Sequence, residues 1–572
     1  MHSFIPPNQF VAIKLPSDQT RIVKLVPDSL VQLGKYGSFP ANQIIGRPFY
    51  FTFEIQDTAE KDGYKLRVVS ATELHAETLI EEAEADGEGE DQPEGSGIPM
   101  RTNRQIVDDA STQTLTLQEI EELKKEAGGA GKEIIAKILE SHTALDQKTA
   151  FSLAKYTLRK RQKYLKRFTV VPLDVSTLAN FMLAEKDATR TMELRDEHIG
   201  LLGCFGNVHY GGDSHNEEST PDGLPTTKPN GRYYVVDETG GLVVAAMAER
   251  MGILYPRDED EDEDDGKEEE EATDSNEQNP TGEDNNAEAQ GATSTSKRKR
   301  PQAMSASGNT ITVVHASSQP NLSLLKYFGY DINTPDENHP LHTHLKTVTW
   351  LQMIDPAVDP ILSNRPAEIP PAELAALKGS KRSAYHFKRN RWERIKKVVE
   401  EARAGSFDGL VVATLLEPAS VLKNLVPLLS GSASVAVYSP TVESLVVLMD
   451  KYSTTRRTAF INNKRDLEAQ STSGQNDIDL SSLYEEFELD PTLLLPPTLH
   501  RSRVRAWQVL PGRTHPLMTG RGGAEGYLFH GVRVIPTTAN VQAAGTFRKK
   551  RKLEQQTSTP TPTTDQDVEM AS

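Results

Sequence analysis

From about residue 170 onward, strand-like and helix-like stretches take turns along the chain. The strand candidates are "TVVPLDV", "RYYVVDE", "TITVVHA", "LKTVTWLQMI", "DGLVVAT", "SVAVYSP" and "TAFINN". Helical spacing begins at Leu178, Gly241, Leu322, Ala419 and Val442. Strands that alternate with helices pair in parallel through crossovers, so this order predicts a mostly parallel, doubly wound sheet. Near the end, "VRAWQVLPGRTHPLM" and "GYLFHGVRVIP" predict a strand, a loop and a final antiparallel strand.

Residues 9–70 have a different grain. "QFVAIKL", "TRIVKLV", "SLVQLG", "IIGRPFYFTFEI" and "YKLRVVS" are short and lie between Pro, Gly, Asp and Ser. Closely spaced short strands predict a small barrel over 1–76. An acidic, disordered linker follows at 77–102, and a helical connector at 103–168. Thr116 and Glu119 form a capping-box pattern ahead of "IEELKKEA" in that connector. The fold class is thus α/β plus β, with the α/β domain assigned to 169–255, 309–355 and 406–539. An acidic insert (256–308) and a Pro-rich, then basic insert (356–405) interrupt it and are expected to be disordered or only partly ordered. The tail, 540–572, is read as disordered.

Charge and cysteine narrow the chemistry. The net charge of −18 lies mostly in two acidic runs, and without them the chain is close to neutral. One of these, 258–271, holds 12 acids and one Lys. A negative total therefore does not exclude a nucleic-acid partner. The single cysteine, Cys204, excludes an intrachain disulfide framework and a multi-cysteine zinc site. Within "LLGCFG" it reads as a small buried hydrophobe. No metal site is expected. No apolar run approaches a membrane span and no secretory signal is visible, so the expectation is a soluble intracellular protein without a membrane partner.

The stretch "VVDETGGLVVAAMAERMG", 235–252, has the outline of a nucleotide-cradling strand, loop and helix. Class I methyltransferases bind S-adenosylmethionine at such a place. Glu238, Gly240 and Gly241 start suitably, but Leu242, Val243 and Val244 follow where further glycines would open the backbone. The next strand ends in His315-Ala316 instead of an acid for the ribose hydroxyls. Glu417 is the only ionisable group close after "DGLVVAT", and it reads as a helix-start residue. The loop is read as a degenerate cofactor site, with no cofactor in this chain and no catalytic residue.

Four stretches in this order, 103–127, 132–164, 235–252 and "WQVLPGRTHPLM" at 507–518, carry a family resemblance. The chain resembles the non-catalytic subunits of tRNA (adenine(58)-N(1))-methyltransferases. The resemblance implies an N-terminal β-barrel and a C-terminal Rossmann-like, class I methyltransferase-like domain without a usable cofactor pocket. It implies a homologous catalytic partner that binds S-adenosylmethionine, two copies of each forming a heterotetramer, and methylation of a T-loop adenine in tRNA, including initiator tRNA, in the nucleus. It also implies that this subunit supplies tRNA-binding surface. Two other readings stay open from the residues: an active methyltransferase in its own right, and a non-enzymatic nuclear scaffold.

The residues themselves offer places for RNA. "KYTLRKRQKYLKRF", 155–168, interleaves Lys155, Arg159, Lys160, Arg161, Lys163, Lys166 and Arg167 with aromatics, a pattern that suits phosphates and unpaired bases. Its tyrosines read as core. Arg513 in "RTHPLM" suits a phosphate through its planar fork, and Arg505 and Arg521 flank it. His515 reads as structural. The stretch "KRSAYHFKRNRWERIKK", 381–397, is either an accessory RNA arm or a solvated helix. Lys297, Arg298, Lys299 and Arg300 suit nuclear import, as does "KKRK" at 549–552.

Overall fold

The fold is that of a computed structural model. It describes residues 4–57, 64–74, 113–126, 131–143, 150–210, 231–255, 309–370, 373–374, 377–470, 481–502, 504–505, 507–510, 513–516 and 523–536. The linker at 77–102, the acidic insert at 256–308, the tail at 540–572, Lys297–Arg300 and Arg521 lie outside these. Met1–Val534 forms one compact unit and Ile535–Ser572 a second. All elements that follow belong to the first.

The N-terminal strands are β1 (Phe10–Lys14), β2 (Thr20–Lys24), β3 (Leu30–Gln32), β4 (Ser38–Pro40), β5 (Thr52–Asp57) and β6 (Tyr64–Val69). A seventh, β7 (Arg167–Pro172), joins them. The antiparallel sheet runs β2-β1-β7-β5-β6, and β3 pairs with β4 in a separate ribbon. Among the described residues, β2 and β6 end this sheet. The small barrel expected over 1–76 is thus not confirmed: the described strands form a sheet and a separate ribbon.

The position of β7 corrects a domain boundary. "TVVPLDV" reads as the first strand of the α/β domain, yet Val11–Lys14 and Thr52–Glu54 pair with it. The reason is its alternation. Phe168 and Val170 point into the N-terminal core, where Phe168 stacks on Phe39 at 4.6 Å and on Phe53 at 5.5 Å. Val171 and Leu173 enter the core of the α/β domain. One strand is therefore buried on both faces, in two different cores.

The connector contains α1 (Leu117–Glu126), α2 (Gly131–Glu140) and α3 (Ala150–Tyr164). The expected capping box is present: Glu119 Oε2 accepts from the Thr116 N–H at 2.8 Å, and Thr116 Oγ1 accepts from the Glu119 N–H at 3.3 Å. Beyond β7, α4 (Val175–Ala184) and α5 (Asp196–Phe205) precede β8 (Arg232–Asp237) and α6 (Leu242–Arg250). The other strands are β9 (Thr310–His315), β10 (Leu345–Thr349), β11 (Phe407–Ala413), β12 (Leu429–Ser439), β13 (Thr498–Arg501), β14 (Trp507–Leu510), β15 (Arg513–Pro516) and β16 (Tyr527–Val532). The large sheet has the order β10-β9-β8-β11-β12-β16-β13. Pairing is parallel from β10 to β12 and antiparallel on either side of β16. This is the doubly wound, Rossmann-like arrangement, with order reversing between β8 and β11.

Two local expectations fail and a third is narrowed. The stretch "TAFINN" lies inside a helix, Thr454–Gln470, although its residues favour strands. The segment 356–405 contains a 26-residue helix, α7 (Gly379–Ala404). Its charged composition hides an apolar stripe: Ile395, Val398, Val399 and Ala402 recur at helical spacing and pack on the sheet. Cys204 is exposed, because α5 turns His198, Leu202 and Gly203 inward instead.

His198 gives the fold a pH dependence. It lies beside the Tyr438 ring at 5.6 Å, and burial pulls its imidazole down to about 4. Burial lowers His315, His339, His344 and His530 as well. An imidazole held neutral only in the folded chain adds stability above the unfolded value of about 6.5, and loses it as pH falls towards the folded value. Thermal melting should show the midpoint dropping between pH 7 and pH 4.5, with a shallower drop in His198→Phe. An equal slope in that variant would exclude His198 as a contributor.

Candidate nucleic-acid interface

The strand, loop and helix at 235–252 sit at the reversal point of the sheet, where ligands enter folds of this type. Here the chain's own groups take up the crevice. The Asp237 carboxylate is buried and accepts from the Thr239 N–H at 2.7 Å, the Thr239 hydroxyl at 2.6 Å and the Val244 N–H at 3.0 Å. Burial raises its pKa, while these bonds pull the other way. Glu238 Oε2 crosses to β11, accepting from the Thr414 hydroxyl at 2.8 Å and the Leu415 N–H at 2.7 Å. Gly240 and Gly241 have φ of +78° and +96°, so they serve the turn itself.

The obstruction differs from the one expected. Leu242, Val243 and Val244 point into the core and block nothing outside it. The segment after β9 closes the loop instead. The Leu324 N–H donates to the Gly240 carbonyl at 3.0 Å, and a Cβ on Gly241 would stand 3.1 Å from Leu322 Cα. His315 ends β9 where a ribose-binding acid would stand, its Nδ1 at 2.7 Å from the Ser317 carbonyl. S-adenosylmethionine does not fit these residues. These closing residues carry no local signal in the sequence, because Leu322 and Leu324 meet the turn only through the fold. Glu417 is the N-cap residue of helix α8 (Pro418–Leu425), as expected of a helix-start residue.

The basic stretch at 155–168 divides. Arg159 and Lys163 on α3 are exposed, and Lys155, Lys160 and Arg161 are half-buried. Lys160 Nζ lies 4.8 Å from the Tyr156 ring centre, and Lys163 Nζ 5.2 Å from that of Tyr164. Tyr164 packs in the small core under α2, as its core reading requires, while Tyr156 is half-buried, edge-on to His142. Lys166 lies past the helix end, where its carbonyl accepts from the Ile55 N–H. Arg167 is a correction. It is buried, with Nε 3.2 Å from Glu54 and Nη2 3.2 Å from Glu73. Hydrogen bonds from Arg67 and then Lys132 hold Glu73 down at about 2. A buried cation already in such a cluster offers nothing to a phosphate.

The second predicted stretch comes close to the first. The ribbon of β14 and β15 pairs Trp507 with Pro516 and Leu510 with Arg513, and β14 lies against α3. The backbone of Arg513 is thus placed at the turn end of a ribbon beside the basic helix. Trp507 and Val509 are exposed. Arg505 is tied to Glu197 on α5 at 3.3 Å. His515 is half-buried, with its Nδ1 at 3.1 Å from the Pro516 carbonyl. Among the described residues, no group of acids, histidines and cysteine is arranged to hold a metal, and no helix is long and apolar enough to cross a membrane.

A family model described as the Gcd10p family matches residues 4–378. A protein of Aspergillus oryzae named as a tRNA (adenine(58)-N(1))-methyltransferase non-catalytic subunit is 62% identical, over 100% of both chains. One of the same name from Schizosaccharomyces pombe is 30% identical and covers 97% of each chain. Its counterpart from Mus musculus is 25% identical, covering 76% of this chain and 74% of that one.

Proposed function

The chain belongs to the Gcd10p family, and from that premise we propose that it is the non-catalytic, tRNA-binding subunit of a complex that methylates N1 of adenine 58 in the tRNA T-loop. The observation that carries this reading is the self-filled crevice at Asp237–Gly241. A domain of methyltransferase type keeps its sheet but closes its ligand entrance with Glu238 and Leu322–Leu324. Chemistry then needs a second subunit of the same fold that binds S-adenosylmethionine. The complex is read as two copies of each subunit, acting in the nucleus on tRNAs that include initiator tRNA. Lys297–Arg300 serve import.

The RNA surface is placed on α3 and the β14–β15 ribbon. Lys155, Arg159, Lys160, Arg161 and Lys163 face phosphates there, with Lys166 beside them; Arg513 and Arg521 are assigned to RNA on their sequence alone. Arg505 contributes only where an RNA phosphate displaces Glu197.

Co-expression with the catalytic partner, followed by a tRNA methylation assay, tests this. The chain alone should transfer no methyl groups, and the pair should transfer them to adenine 58. Stoichiometric S-adenosylmethionine binding by the isolated chain in calorimetry would instead establish an active methyltransferase.

A further inference from the structure

Helix α7 sorts its cations. On its flanks, Arg389 pairs with Glu393 at 2.8 Å and Lys396 with Glu400 at 3.5 Å. Arg391, Arg394 and Lys397 are different. They recur every third residue, about 4.5 Å of helix rise apart, are exposed, and make no ion pair among the described residues. All three line a groove of about 600 Å³ between α7 and β10, the edge strand of the large sheet.

The opposite wall adds polar groups and one paired cation. Lys346 projects from β10, and His315 and His342 lie along the groove. Among the described residues Glu401 is the one carboxylate lining it, and it is already engaged by Lys346 at 2.8 Å and Arg232 at 3.3 Å. The Lys346 contact leaves Glu401 no surplus charge to offset the three cations on the helix. Gln319, Asn333 and Thr347 add amide and hydroxyl groups, beside apolar side chains such as Leu345, Ile361 and Val398. A groove of this kind fits a ligand with repeated anionic groups and hydroxyls, and arginine forks match phosphate oxygens in pairs.

We propose that the groove between α7 and β10 is a second RNA-binding site, in which Arg391, Arg394 and Lys397 hold the phosphodiester backbone. This rests on the reading of the chain as a tRNA-methyltransferase subunit. The groove lies between the basic insert and β10, at the opposite end of the sheet order from β13, so it extends the RNA footprint beyond α3. An RNA strand is favoured over an acidic polypeptide because it combines regularly spaced phosphates with sugar hydroxyls.

The test uses the full chain purified with its catalytic partner. Anisotropy titrations with labelled tRNA at several salt concentrations compare the wild type with the R391E/R394E/K397E variant. Affinity should fall by at least about tenfold, and the slope of log K against log salt should shrink by about two to three. Melting temperature and S-adenosylmethionine binding by the complex should not move, since the three side chains are exposed. The milder R391Q/R394Q/K397Q variant should lose less, and R389Q/K396Q should match the wild type. Unchanged tRNA affinity in the triple Glu variant overturns the proposal. If that variant loses only a glutamate-rich peptide, the occupant is an acidic polypeptide and the proposal is likewise overturned. If the wild-type complex itself does not bind tRNA, the proposed function falls first and this site with it.

Discussion

Phe168→Ala should lower the stability of the protein by about 4 kcal/mol, the usual loss for a fully buried phenylalanine. Phe168 stands in the middle strand of the N-terminal sheet and is sandwiched by two rings, Phe39 at 4.6 Å and Phe53 at 5.5 Å. Truncation removes its own burial and both stacking contacts, and opens a cavity that the flanking strands cannot close without losing register. Urea denaturation measures this directly. Phe168→Leu keeps most of the volume and should lose far less, about 1–2 kcal/mol. A loss below about 1 kcal/mol for the alanine variant would mean that β7 is not the centre of that core.

Reversing Arg159, Lys160 and Lys163 to glutamate should weaken tRNA binding by the reconstituted complex roughly ten- to a hundredfold, taking up to about 1 kcal/mol for each exposed phosphate contact. The helix should persist, since glutamate is as good a helix former as lysine or arginine. Arg167→Gln separates RNA contact from structure. It removes a buried cation facing Glu54 and Glu73, so it should lower the melting temperature and leave tRNA affinity intact below that temperature. If the triple reversal leaves tRNA affinity unchanged, the RNA surface is not on α3.

The parallel core was legible because strands buried on both faces are continuous apolar runs, as in "RYYVVDE", "TITVVHA", "DGLVVAT" and "SVAVYSP". The same rule misplaced β7. Val170 and Val171 are buried on both faces for another reason: each faces a different core. No local pattern distinguishes those cases, because the partners lie far away in the chain. For α7 a helix over 381–397 was one open reading, but its packing on the sheet was not legible, since long charged stems outnumber the apolar residues that anchor it. Within the crevice, the glycines and the missing acid were readable, but the closing residues were not. Leu322–Leu324 become neighbours of Gly240 and Gly241 only after β9 has paired with β8. Arg167 failed as an RNA residue for a related reason. Seven cations in a row look alike until Glu54 and Glu73 arrive from the N-terminal sheet.

The placement of β7 constrains the order in which the chain is made. During synthesis the first six strands emerge with a gap between β1 and β5, and the strand that fills it comes only after the acidic stretch and three helices. Until then, Phe39 and Phe53 have no ring between them. When β7 arrives, its other face still lacks the α/β residues that cover Val171. The nascent chain thus carries an apolar seam without its cover for as long as the residues between β6 and β7 are being made.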